Sequence, residues 1–161
     1  RQLRASTRLS GAHRLTLKDE PMTLQQVPLA DINLWSRNTL IEHLGIECIE
    51  LGGDYLVARM PVDHRTHQPA GLLHGGASMA LIESLGSMGS SLLLDRAKEQ
   101  PVGIEINANH ISGVRSGSVL GTARIVHAGR KTHVWQVDIR DEASGRHVCT
   151  GRLTVMVIAR A

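Results

Sequence analysis

A chain of 161 residues is long enough for one domain with a sizeable core. With no Phe, one Tyr and two Trp, that core must be built from Leu, Ile, Val, Met and Ala. The net charge of +3 misleads: residues 1–21 hold Arg1, Arg4, Arg8, Arg14 and Lys18 against Asp19 and Glu20, and removing these leaves 13 basic and 13 acidic residues in 22–161, so no nucleic-acid footprint remains.

The leading segment lacks the apolar stretch of a secretory signal. Residues 1–21 are expected to be a poorly ordered basic tail, or an appended upstream segment with Met22 as the natural start. Residues 22–161 then form a single domain. Residues 31–44 place Ile32, Trp35, Thr39, Leu40 and Leu44 at helical spacing behind a cap at Asp31, which predicts one helix ended by Gly45. IECIEL and YLVARMPV flank Gly52-Gly53-Asp54 and read as a hairpin. The polar loop DHRTHQPAGLL follows, with Pro69 and Gly71 as turn signals. His64 and His67 in this region have no third ligand nearby, and no metal site is expected. Cys48 and Cys149 match no disulfide or metal spacing, which fits a reducing, cytoplasmic compartment.

The stretch from Gly71 to Leu94 sets the main problem. Ala77, Leu81, Leu85, Met88 and Leu92 recur at spacings of three and four after Gly75-Gly76, which predicts a helix apolar or small nearly all round. Such a helix is buried. Five Gly, five Ser and a central Glu83 make it a poor membrane span. A carboxylate in that setting needs a partner or a task. A paired structural acid and a reactive acid both satisfy this, and His74 and Gln68 in the adjoining loop favour the second.

After Pro101 the period changes. VGIEINANHIS alternates, with Ile104, Ile106, Ala108 and His110 on one face. VLGTARIVH, VWQVDIR and HVCTGRLTVMVI follow with tight turns, and Trp135, Val137 and Ile139 share one face of the middle one. Tight turns favour antiparallel pairing. The order predicts an α+β fold: a curved antiparallel sheet of about six strands wrapped around one long central helix. The sheet edges left over favour a homodimer or larger assembly.

This order, with QPAGLLHGGASMALIES, GIEINANH and GRKTHVWQ, resembles the hotdog-fold acyl-CoA thioesterases. The likeness runs over about residues 33–158 and is strongest toward the aromatic-acyl branch, which acts on dihydroxynaphthoyl-, phenylacetyl- and hydroxybenzoyl-CoA. The resemblance implies a homodimer, or a dimer of dimers, with sites at subunit interfaces. It implies Glu83 as the catalytic carboxylate, the Gly75 N–H as the donor to the thioester oxygen, and Gln68 and His74 as positioning residues. Ser87 matches a Ser/Thr position one turn beyond the acid. A second branch uses an Asp ahead of the helix; Asp63 lies in that loop but reads as a turn residue.

The chemistry suits these residue types. A Gly at a helix start offers an unpaired N–H with no side chain in the way, where the dipole favours an oxyanion. Glu83 could attack directly or deprotonate water, and both routes stay open. Ser87, four residues on, shares its helix face and either holds the carboxylate or lets the sheet approach closely. Arg130 and Lys131, in a turn between strands, are candidates to grip coenzyme A phosphates, together with Arg115 or His110. Coenzyme A belongs to the substrate and no separate cofactor is implied. Two further readings are a hotdog hydratase or dehydratase and a non-catalytic acyl-CoA sensor; neither a nucleic-acid nor a membrane partner is expected.

Overall fold

Six antiparallel strands curve around one helix. The structure, a computed structural model, describes residues 23–160, and the basic segment 1–21 lies outside the described residues. The elements are α1 (Leu29–Leu34), α2 (Leu40–His43), β1 (Glu47–Leu51), β2 (Tyr55–Pro61), α3 (Gly75–Ser91), β3 (Glu99–His110), β4 (Ser118–Ala128), β5 (Thr132–Asp141) and β6 (His147–Ala159). Spatial order in the sheet is β1-β2-β4-β5-β6-β3, every neighbouring pair antiparallel. The expected sequence of elements is therefore met from the first hairpin onward.

Alternation explains the inner face. Trp135, Val137 and Ile139 of β5 are fully buried, as are Leu153 and Val155 of β6 and Val119 and Ala123 of β4. They close on Leu81, Ile82 and Leu85 of α3, none of which is exposed. Each such aliphatic side chain contributes about 1.5–3 kcal/mol by leaving water. The helix can sit this low because it presents glycine to the sheet. A Cβ built at Gly89 would lie 2.4 Å from the Trp135 ring, and one at Gly86 would lie 2.4 Å from Leu153 Cδ2. Each interior glycine costs the helix about 1 kcal/mol of propensity, which the close packing offsets.

Two local expectations are corrected. Residues 31–44 do not form one helix. Pro28, not Asp31, occupies the cap of α1; Asn38 takes a positive φ of 58° and Thr39 starts α2, its hydroxyl accepting from the Ile41 N–H at 3.2 Å. The break lets α1 lie along β1, where the Asn33 amide donates to the Cys48 carbonyl at 3.0 Å and accepts its N–H at 2.8 Å. On β3, Ile106 and Ala108 pack on the core as expected. Ile104 does not: the register against β6 shifts between Gly103 and Glu105, so Ile104 is the extra residue of a bulge and is 52% exposed.

The two sheet edges thus differ. β1 is five residues long and partly capped by Asn33. β3 is 12 residues long, pairs only with β6 among the described residues, and exposes Val102 and Ile104.

Candidate active site

The loop before α3 is built to deliver the helix start. Asp63 accepts from the Arg65 N–H at 2.9 Å and from its guanidinium at 2.7 Å. That hydrogen-bonded fork holds the Asp63 carboxyl well below the usual range. Asp63 is the turn residue its spacing suggested. Gln68 and Gly71 close a tighter turn, with Gly71 N–H donating to the Gln68 carbonyl at 2.9 Å and Gly71 at φ +71°. The Gln68 side-chain oxygen accepts from the Ala70 N–H, which leaves its NH2 group as the free end.

His74 then caps α3. Its own N–H donates to the Thr66 carbonyl at 2.8 Å, and its Nδ1 accepts from the Gly76 N–H at 2.7 Å. A neutral ring bonded this way carries its proton on Nε2. Ala77 and Ser78 N–H groups both return to the His74 carbonyl. Gly75 N–H has no acceptor among the described residues, which makes it the free donor of the first turn. His110 of β3 lies over it: a Cβ built at Gly75 would sit 2.8 Å from His110 Nε2. Gln68, Gly75, Ser78, His110 and Ser112 face a cleft of about 290 Å³.

Glu83 is half-buried on the same helix. Its carboxylate packs against β3, since a Cβ at Gly103 would come within 2.2 Å of Oε1. Burial pushes its pKa up, partly opposed by Ser87, whose Oγ lies 3.5 Å from Oε1. It forms no ion pair among the described residues. The paired structural acid considered from the sequence therefore finds no cation here.

A sequence profile of the thioesterase superfamily matches residues 70–147. The chain is 49% identical over 134 residues to the proofreading thioesterase EntH of Cronobacter turicensis, covering 83% of this chain and 96% of that one. The chain belongs to the thioesterase superfamily. The fold agrees: a mutant of thioesterase PA1618 from Pseudomonas aeruginosa superposes with a TM-score of 0.83 at 45% identity, over 86% of this chain and 99% of its own. Thioesterase HI1161 from Haemophilus influenzae gives 0.81 at 45% identity, over 86% and 95%. The protein is a hotdog-fold thioester hydrolase.

Within this thioesterase the residues expected from sequence fall into two groups. Gln68, His74, Gly75 and His110 converge at the start of α3, and Arg115 braces the same loop, its carbonyl 3.0 Å from His67 Nε2. Arg130 lies at the other end of the helix, beside Leu93, Leu94, Glu99 and His133, with Lys131 next to it. A 17-residue helix is about 25 Å long. One chain therefore does not bring Arg130 and Lys131 to Arg115 and His110, as the sequence reading paired them; the strand turns lie at opposite ends of the sheet.

Sequence reasoning missed Gly103, the close neighbour of Glu83, because nothing in an alternating strand announces what its bulge will face. It also missed an apolar groove between α2 and α3, since Leu40 was read only as one position of a single helix over 31–44 and is 62% exposed. Among the described residues no helix is long and apolar enough to cross a membrane. Both cysteines are free and buried, and burial raises the Cys48 thiol to about 11.

Proposed function

We propose that this thioesterase hydrolyses acyl-CoA, with an uncharged, aromatic-type acyl group as the preferred load. Glu83 attacks the thioester carbonyl or draws a proton from water, while the Gly75 N–H takes the developing oxyanion. What carries the reading is one helix presenting both an acceptor-free N–H at its start and a half-buried carboxylate without a cation in its middle. A donor of this kind lowers the barrier by about 3 kcal/mol. Gln68 and His74 position the thioester from the loop, and Ser87 steadies the carboxylate. The thiol of coenzyme A leaves readily, so no strong general acid is required.

Two copies are needed to assemble one site. Glu83 follows Gly75 by eight residues, about 12 Å along the axis, which is too far for one carbonyl to meet both in one chain. The open edge of β3 offers the solution. Gly75 rests on His110 and Glu83 on Gly103. Antiparallel pairing of β3 with its copy about a two-fold near Ile106 and Asn107 sets His110 beside Gly103 of the second copy. Gly75 then meets Glu83 of the second copy. The same rotation carries Arg130 and Lys131 of the second copy toward the cleft, where they reach coenzyme A phosphates. His110 and Arg115 of the first chain flank the path.

Purified protein should release thiol from benzoyl-CoA, and Glu83→Ala and Gln68→Ala should each lose most of that rate. Hybrid dimers of the two variants hold one intact site, so a co-refolded mixture should recover about a quarter of wild-type activity. A Glu83→Ala variant with the full rate removes the role of the acid. A mixture as inactive as its parts removes the two-copy site.

A further inference from the structure

Taking the thioesterase reading above as its basis, we infer that the acyl arm of the substrate lies in the apolar groove between α2 and the first turns of α3, and that Ala80 and Leu40 set which acyl groups fit. The start of α3 is a wall between two hollows. Gly75 faces the cleft that holds Gln68, Ser78, His110 and Ser112; Gly76 faces the other, with His74, Ala77, Ala80, Leu40 and Leu44. A carbonyl oxygen held by the Gly75 N–H sits at that wall, with one hollow on each side to receive its two substituents.

The chemistry of the hollows assigns the arms. Besides the aliphatic Leu72, Leu73, Ile111 and Val148, the cleft carries amide, imidazole and hydroxyl groups from Gln68, His110, Ser78 and Ser112, partners for the two amides of a pantetheine arm. The groove has a floor of Gly and Ala and a wall of Leu. Three of its polar neighbours are already engaged, Arg65 on Asp63, the Thr66 hydroxyl on the Pro61 carbonyl and His67 on the Arg115 carbonyl, and the fourth, His74, accepts the Gly76 N–H on Nδ1. A carboxylate at the end of an acyl chain would find no free cation there. An apolar acyl group would find apolar surface. The groove measures about 310 Å³, at the small end of ligand sites, which suits one ring or a short alkyl chain.

The test measures kcat/KM by thiol release for benzoyl-CoA, hexanoyl-CoA, succinyl-CoA and acetyl-CoA. Wild type should favour hexanoyl- over succinyl-CoA by about tenfold or more. Ala80→Leu fills the floor, and Leu40→Asp charges the wall at a site too exposed to threaten folding. Each should lower the benzoyl-to-acetyl ratio by about tenfold or more. A ratio within about twofold of wild type in a folded Leu40→Asp protein overturns the assignment, even where Ala80→Leu misfolds. Absence of thiol from all four substrates in wild type is a different failure: it removes the acyl-CoA reading, and the groove assignment with it.

Discussion

The two faces of α3 obey different rules. On the face toward the sheet, Gly86 and Gly89 admit Leu153 and Trp135, and the Trp135 indole N–H donates to Ser90 Oγ at 2.9 Å in the buried interior. The other face carries Gly76, Ala80, Glu83 and Ser87, none of them fully buried, with a carboxylate whose single side-chain hydrogen bond is 3.5 Å long. One surface is satisfied and closed; its opposite is held incomplete. The helix thus keeps its packing glycines and its unpaired carboxylate on different sides of its axis.

The strongest way to break this contrast is Glu83→Gln. The open face should lose function without losing structure, so kcat should fall by about 10²–10⁴-fold. Stability should move the other way. Burial raises the Glu83 pKa in the folded protein. The stability linked to its protonated form is then complete below the unfolded-state value and is lost as pH rises through the folded value. Above that window the ionised carboxylate strains the fold, and Gln does not. Thermal melts should show the variant about 1–3 °C more stable than wild type in mildly alkaline buffer, with the gap closing in acid. A variant that melts lower throughout would make the carboxylate a structural group.

Gly89→Val should do the reverse on the closed face. The new Cβ falls 2.4 Å from a fully buried Trp135 ring that cannot yield. Overpacking of this kind costs about 1–3 kcal/mol, or about 2–12 °C in Tm for a chain of this size. Well below its Tm, activity per folded molecule should stay near wild type, checked by thiol release normalised to circular dichroism. A Gly89→Val protein that melts normally but turns over slowly would show that the faces are mechanically coupled.

Legibility followed the same division. The closed side was readable because burial writes itself into periodicity: Trp135, Val137 and Ile139 alternate, and Leu81, Leu85, Met88 and Leu92 step by three and four. The helix carrying Glu83 and the loop from Gln68 to Gly76 were readable as a motif. What spacing does not encode is position in space. Leu40 matched the spacing of one continuous helix, yet Asn38 turns the chain with a positive φ and splits it, and Leu40 faces solvent. Ile104 matched an inward face yet bulges outward. Arg130 and Arg115 both sit near strand turns, but the length of α3 separates them. Gly103, against which Glu83 packs, was hidden for a related reason: the bulge of β3 leaves no trace in the spacing of the strand.

Ser87→Ala gives the smallest effect and the finest test. Ser87 and Ser90 lie three residues apart on one helix, yet only Ser90 anchors the core. At 3.5 Å the Ser87 hydroxyl is a weak donor to Glu83, contributing about 0.5 kcal/mol. It favours the ionised acid, against the larger effect of burial. The acid limb of kcat/KM reports the carboxylate in the free enzyme, and in wild type it should lie above the ordinary glutamate value of ~4.3. Removing the hydroxyl takes away the one influence holding the pKa down, so the limb should move further toward alkaline pH. On the plateau above it, where the acid is ionised in both proteins, rates should agree within about threefold. A limb that stays in place while the plateau falls as far as it does in Glu83→Gln would mean that Ser87 handles the water or the thioester itself, and that the open face carries two reacting groups rather than one acid and its support.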